Sequence, residues 1–486
     1  MALRQKALSA LQWSFADSSI SQLVEFFVAI ILARLLSPRE FGLIGMITFF
    51  IAVSNSFMDS GFSEALVRKQ DCTEEDFNTV FYYNLAAGML LYLALFFSAN
   101  AIGYFYHEPA LPSLVRVLGL NIIIGSFGVI QRAILVKHIN FKLQTKVTVV
   151  ASVASGILSI ALAKSGFGVW SLVWKSIAFT GISITLLWLW SVWRPSIVFS
   201  MQSAREMFGF GSKLMASGLL NTIFTNIYYL VIGKFFSPAE LGYFTKAEQF
   251  QETPSKNMYG IIQRVSYPVL ASIRDDPPRM KRAFISFLRN VMFVSFVLMA
   301  GLAAVARPLI VTLIGEKWAP VIPYLQLLCF SGALFPLHGL NLSILKIEGR
   351  SDLFLRLEII KKALVVPVLV IGLLYGIEVM IVGITFNSVF SYFINSYWTG
   401  KFIGYPMKQQ VVDILPSFCL AAAMGTIVWV SGLWMTFQPA VALAIEVILG
   451  AGIVIVISEL FRLGPYLETK GIIRGYIVNA ASRIRR

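Results

Sequence analysis

Along the chain, runs of about 20 predominantly apolar residues alternate with short polar or charged breaks. A helix of that length, rising 1.5 Å per residue, is what crosses the ~30 Å hydrocarbon core of a bilayer. The pattern predicts spans at roughly 13–36, 41–63, 80–105, 112–134, 146–165, 168–192, 208–235, 241–263, 287–314, 319–345, 354–375, 379–400, 411–433 and 438–460, about fourteen in all. The runs are continuously apolar, whereas barrel strands would alternate lipid-facing and lumen-facing residues, so the expected class is an all-α polytopic membrane protein. The first run carries Asp17, Gln22 and Glu25 and has no small-residue cleavage site after a short apolar core, so it reads as a retained first span and not as a signal peptide.

The pattern repeats. Leu35-Leu36-Ser37-Pro38-Arg39-Glu40-Phe41-Gly42 returns as Phe235-Phe236-Ser237-Pro238-Ala239-Glu240-Leu241-Gly242, an offset of 200. Further on, Pro112 answers Pro323 and Gly166-Phe167-Gly168-Val169 answers Gly376-Ile377-Glu378-Val379, offsets of 211 and 210. An insertion of about ten residues around Asp275-Asp276-Pro277-Pro278 accounts for the drift. Residues 1–200 thus read as an N-lobe of six spans, 201–405 as a C-lobe of six, and 406–486 as two extra spans with a basic tail. Six is even, so both lobes enter the membrane from one side and are parallel repeats, with a substrate path expected at their interface.

Hydrophobic residues make up 57% of the 486, and the formal net charge is +15. The charge follows topology. With a cytoplasmic N-terminus, the clusters around Arg68/Lys69, Arg132 to Lys146, Arg274 to Arg282, Lys346 to Lys362 and the tail from Arg462 all fall on the cytoplasmic side, while loops 104–111, 375–378 and 434–437 hold no Lys or Arg. Both termini are therefore expected in the cytoplasm. The basic surface suits anionic membrane lipid, and no nucleic-acid partner is expected. Loops 64–79 and 264–286 alternate charges with Phe, Val and Ile, and read either as short surface helices or as plain charged loops.

Motifs for chemistry are missing. There is no phosphate-binding G-x-x-x-x-G-K-[ST], no H-E-x-x-H and no nucleophile elbow, so no catalytic residue is expected. Cys72, Cys329 and Cys419 are scattered, which predicts neither a disulfide framework nor a metal site, and His107, His138 and His338 stand apart and read as loop or packing residues. The unusual feature is charge inside spans, which costs at least ~2.5–3.5 kcal/mol at the bilayer centre unless it meets protein or water. Asp17, Ser21 and Glu25 are spaced i, i+4, i+8 on one helix face, and Ser217, Asn221 and Thr225 repeat that stripe. Glu248, Glu252 and Lys256 form a third stripe beside Pro254, with Lys246 roughly opposite; Lys175 and Arg264 add cations suited to an anionic head group. The candidate cavity lining is therefore Asp17, Ser21, Glu25, Lys175, Asn221, Thr225, Lys246, Glu248, Glu252, Lys256 and Arg264. Simple helix-to-helix hydrogen bonding explains the Ser, Thr and Asn members equally well, and an i, i+4 ion pair would explain Glu252 with Lys256.

Several strings resemble the Wzx-type oligosaccharide flippases and polysaccharide transporters of the multidrug/oligosaccharidyl-lipid/polysaccharide exporter superfamily, in particular the colanic acid exporter-like group. They are Ile31-Leu32-Ala33-Arg34-Leu35-Leu36-Ser37-Pro38, Phe41-Gly42-Leu43-Ile44-Gly45-Met46, Asp59-Ser60-Gly61-Phe62-Ser63, Gly166-Phe167-Gly168-Val169-Trp170, Gly260-Ile261-Ile262-Gln263-Arg264-Val265 and Gly349-Arg350-Ser351-Asp352-Leu353-Phe354. The resemblance implies two six-helix lobes around a central cavity, lined by the first and seventh helices, and alternating access by lobe rocking. It implies an isoprenoid-pyrophosphate-linked oligosaccharide as substrate, carried across the bacterial inner membrane for exopolysaccharide or lipopolysaccharide biosynthesis, beside the polysaccharide polymerase machinery. No ATP motif is present, so the drive expected is product removal or a coupling ion, H+ or Na+, with Glu25, Glu248 and Glu252 as its candidate carriers; no other cofactor is expected. A cation-coupled multidrug exporter shares this architecture and is the alternative. A membrane-embedded glycosyltransferase or polymerase is disfavoured by the short outward loops.

Overall fold

The computed structural model describes residues 20–471 except 60, 63, 64, 67, 68, 70, 139, 192 and 469. Every regular element among these is helical. The first part of the chain holds α1 (20–35), α2 (Pro38–Asp59), α3 (Glu74–Tyr106), α4 (Leu111–Ser126), α5 (Val129–Lys137), α6 (Phe141–Lys164), α7 (Trp170–Trp190), α8 (Met201–Phe235) and α9 (Pro238–Ile261). A π-helical turn, Ile262–Ser266, leads into α10 (Tyr267–Ser272), α11 (Pro277–Ala304), α12 (Ala306–Ile314), α13 (Val321–Ile347), α14 (Ser351–Ala363), α15 (Val365–Tyr375), α16 (Ile377–Ile403), α17 (Met407–Leu433) and α18 (Pro439–Leu460).

Ten of the described helices are long and apolar enough to cross a membrane, and α4 with α5, bent by 43°, makes an eleventh if the pair is one span. The chain is a multi-pass membrane protein. Fourteen spans were expected, and the difference has local causes. The described part of α1 is short, α9 is too charged to meet an apolar criterion, and the eleventh expected span is broken between α14 and α15. The ninth expected span, 287–314, also differs: its helix starts earlier, at Pro277, and stops at Ala304, with α12 following after Val305. Asp276 caps α11 by accepting from the Arg279 N–H at 3.0 Å, and Pro277 at the first helical position needs no donor, so the expected loop 264–286 gives up its second half to the helix. Likewise α3 reaches back to Glu74, because Thr73 and Asp76 cap it reciprocally at 3.3 and 3.0 Å.

By packing, the chain divides into two units, Met1–Gly242 and Tyr243–Arg486. The line falls inside α9, so α8 belongs with the first unit, where it runs along α2. In that unit Phe62, Leu66, Val80, Phe81, Ile130 and Met207 form one core, with Trp188 and Trp193 packed on it. The bend between α4 and α5 frees backbone groups, and the Trp188 indole donates to the Phe127 carbonyl at 3.0 Å, meeting one of them in a medium that offers no water. The repeated octapeptide has a structural reason. Ser37 and Ser237 begin α2 and α9, each giving its backbone N–H to the glutamate three residues on, Glu40 at 2.6 Å and Glu240 at 2.9 Å. The glycines that follow mark a crossing: a Cβ on Gly42 would strike the Pro238 carbonyl, and one on Gly242 would strike the Pro38 carbonyl. Only glycine lets these two helix starts lie backbone to backbone.

Candidate functional site

In the first unit, α1 turns Val28, Leu32 and Leu36 inward, where Ile160, Ala163 and Leu172 of α6 and α7 pack on them. Glu25 stands three residues before Val28 and so continues that face. There it meets Lys175 of α7, Oε2 to Nζ 2.5 Å, with 39% and 19% of the two side chains exposed. A carboxylate and an ammonium proposed separately as cavity residues are thus one ion pair within spans. Ser21, a turn before Glu25, is half-buried and engaged. Asp17, the first member of that stripe, lies outside the described residues. Asn221 and Thr225 share one exposed face of α8 with Ser217. Arg116, a further cation, donates to Asn100 Oδ1 at 3.0 Å and stacks on the Phe96 ring at 5.0 Å, so its charge is held by α3.

The second unit fixes the rotation of α9. Gln251, Ser255 and Tyr259 recur every four residues and face α13: Gln251 Nε2 donates to Ser255 Oγ at 2.8 Å, Ser255 Oγ donates to the Gly332 carbonyl at 3.2 Å, and the Tyr259 ring covers Gly339. The Ser255 bond has a cause in sequence. Pro336 has no N–H for the carbonyl of Gly332, four residues back, and a hydroxyl from the neighbouring helix takes its place. The adjacent row of α9 carries Glu248, Glu252 and Lys256. Glu252 Oε2 and Lys256 Nζ are 2.5 Å apart, with Lys256 61% and Glu252 35% exposed, while Glu248 is half-buried with partners of its own. Lys246 is only 4% exposed and gives its Nζ to Gln249 Oε1 at 3.0 Å. Arg264 is exposed on the π-helical turn after α9.

The structure also shows polar groups in the second unit that the spacing of residues did not single out. His338 touches Ser388 and Asn395 of α16, Glu358 and Lys361 pair within α14, and Glu446 of α18 is 3% exposed against Gly432. His338 and Glu446 are lone polar residues in apolar runs, and the partners of His338, 50 and 57 residues away, leave no local signal.

Comparisons with known proteins agree with this architecture. The chain is 26% identical to the teichuronic acid biosynthesis protein TuaB of Bacillus subtilis (strain 168), covering 92% of this chain and 94% of that one. It is 25% identical to the lipopolysaccharide biosynthesis protein WzxC of Escherichia coli (strain K12), covering 88% and 89%. Its fold matches a structure of the lipid II flippase MurJ in an inward closed conformation with a TM-score of 0.75 at 14% identity, over 93% of this chain and 98% of that one. An inward-facing multidrug resistance transporter of the MATE family matches with a TM-score of 0.62 at 16% identity, over 80% and 94%. At such identities the two structures speak for the fold. A family model described as polysaccharide biosynthesis protein covers residues 31–323, more than half of the sequence, and the chain belongs to that family.

Proposed function

We propose that this protein moves lipid-linked oligosaccharide repeat units across the bacterial cytoplasmic membrane by alternating access, without changing them covalently. The observation that carries the reading is the row Glu248, Glu252 and Lys256 on α9, a helix that sits among membrane spans yet bears four ionisable groups between residues 246 and 256. Such a helix is stable only where its charges meet one another, protein partners or water, and the exposure of Lys256 and Glu252 supports a hydrophilic route beside it. Relatives named for teichuronic acid, lipopolysaccharide and succinoglycan biosynthesis support a sugar-chain substrate, and the likeness in fold to a lipid II flippase supports a lipid carrier for it. The head group and sugars would travel along the polar faces while the isoprenoid tail stays in lipid. We assign Lys175 in the first unit, and separately Lys246, Lys256 and Arg264 in the second, to attraction of the anionic head group, and Glu25, Glu248 and Glu252 to ion coupling with H+ or Na+. Both termini would lie in the cytoplasm, and a polysaccharide polymerase would consume the product on the far side.

The test is complementation. A strain deleted for this gene should lose its surface polysaccharide and accumulate the lipid-linked precursor inside, and the intact chain should restore export. Glu252→Gln combined with Lys256→Ala should lower surface polysaccharide at least ten-fold at equal protein level. A deletion strain with normal surface polysaccharide, but with raised sensitivity to cationic drugs, would instead establish a multidrug exporter.

A further inference from the structure

We infer that His338 is a proton-binding site of the transport cycle, taking its proton on Nδ1 opposite the Asn395 amide; the inference rests on the transport reading above. His338 lies near the middle of α13, two residues after the Pro336 break. Its Nε2 is 3.0 Å from Ser388 Oγ and its Nδ1 is 3.4 Å from Asn395 Nδ2, both on α16. An amide NH2 can only donate, so Nδ1 is the acceptor and Nε2 carries the hydrogen that Ser388 receives. In that orientation of the amide the contacts suit the neutral imidazole.

That arrangement leaves one group unmatched. Asn395 has no exposed surface, and its Oδ1 has no partner, in a place where an unpaired carbonyl is costly. A half-turn of the amide, which leaves its shape unchanged, sets Oδ1 against Nδ1. It then accepts from an N–H on Nδ1, while Nε2–H keeps Ser388. The cluster thus contains a complete set of acceptors for the imidazolium and a second, equally compact set for the neutral ring. A proton arriving from water adds to the Nδ1 lone pair, and leaving it returns the amide to its present orientation; no other bond changes.

The charged groups on neighbouring helices are paired among themselves. On α14, Lys361 and Glu358 form an ion pair. From α9 the Tyr259 ring lies over Gly339, the next residue. At the far end of α13 Glu348 is paired with Arg274, and Arg289 of α11 is held by Asp413 at 2.7 Å. One further step of the ladder follows: Asn341 Nδ2 bonds the Leu337 carbonyl, its Oδ1 is unpartnered, and Thr399 Oγ1 reaches the Asn341 carbonyl at 3.3 Å. Ser255 bridges α9, the helix that carries Glu252 and Lys256, to the opened turn of α13 that precedes His338.

The chain has three histidines, which makes the test direct. In full-length protein labelled with [15N]histidine and carrying His107→Asn and His138→Gln, the remaining signal should show an Nε2–H neutral ring at high pH and convert to imidazolium on acidification. Asn395→Leu should alter that titration. A ring that stays neutral from pH 8 to pH 4, or that titrates identically without Asn395, overturns the proposal whatever the substrate. In proteoliposomes loaded with lipid-linked oligosaccharide, His338→Gln keeps a hydrogen-bonding amide but holds no proton, and should lose at least ten-fold in transport driven by a pH gradient. Wild-type pH dependence in that variant also overturns it. Wild-type protein that moves no such lipid, with His338 still titrating, defeats the substrate reading alone.

Discussion

Lys175 Nζ stands 2.5 Å from Glu25 Oε2 and ties α7 to α1. Neither side chain is fully shielded, so the pair is worth less than a dry one, yet removing one partner leaves a lone charge within a span. We expect Glu25→Gln and Lys175→Met each to cost about 1–3 kcal/mol, the range for leaving a polar partner unsatisfied, and to lower the unfolding midpoint in detergent by several degrees. The exchange Glu25→Lys with Lys175→Glu should recover part of the loss. A double exchange no more stable than either single variant would show that the charges act independently.

The crossing of Gly42 and Gly242 gives a sharper expectation, because a new Cβ at either would meet a backbone carbonyl and not a side chain that can swing away. Gly42→Ala and Gly242→Ala should each destabilise by about 1–3 kcal/mol, the usual cost of overpacking. Together they should cost less than the sum, since the first displacement makes room for the second. Gly181 in α7 has nothing within 4 Å of a Cβ and is the control. There alanine should be neutral or stabilise by up to about 1 kcal/mol through helix propensity. Thermal unfolding of the four variants decides it, and equal losses at Gly181 and Gly42 would contradict the crossing.

Much of this fold was legible in the sequence because a membrane demands long apolar runs, and because Ser-Pro-x-Glu-x-Gly spells out a helix cap, a proline start and a close approach in six residues. The Asp276-Pro277 start of α11 was equally readable, but it lay inside a charged stretch that resembled a loop. Partnership was not legible. Glu25 and Lys175 were each visible as charges in spans, but what joins them is the packing of Val28 and Leu32 on Leu172, which sets the rotation of α1. The same holds for α9, whose orientation follows from Gly332 and Gly339 on α13. His338 passed for a packing residue because Ser388 and Asn395 are 50 and 57 positions away.

The two serine caps predict a smaller effect, graded between them. Ser37 and Ser237 each bring backbone N–H and Oγ onto a glutamate oxygen, the hydroxyl contacts being 2.9 and 3.2 Å. Ser237 also accepts from the Glu240 N–H at 3.2 Å, so its cap is the more complete. Ser237→Ala should cost about 1 kcal/mol and Ser37→Ala no more than that. Asp at 237 should restore part of the loss, because a carboxylate can still accept from the Glu240 N–H, whereas Asp at 37 should restore none, because the hydroxyl there only donates to Glu40 and a carboxylate would repel it. The unfolding midpoints of the alanine and aspartate variants check the order, and a larger loss at Ser37 would reverse it.

Dependence on pH should come from opposite ends of the scale at two sites outside the spans. Lys69 lies between Asp76 at 2.9 Å and Glu206 at 3.3 Å, and its ammonium is held above the usual lysine range, chiefly by the Asp76 hydrogen bond. A raised value means that its stabilisation is complete below the ordinary lysine pKa of about 10.4 and is lost as pH climbs through the folded value. Asp352 is the reverse case. The Arg350 hydrogen bonds, 2.9 and 2.8 Å, hold its carboxyl well below the usual carboxylate range, so its contribution is complete above about pH 3.9 and fades as pH falls through the lowered value. Lys69→Met should therefore flatten the alkaline limb of a plot of unfolding midpoint against pH, and it should also weaken the acid limb, because the ion pair it removes is Asp76's as well. Asp352→Asn should flatten the acid limb, and by less, because its pair is open to solvent. If either variant shifted the whole curve equally at all pH values, the charge would not be the source of its effect.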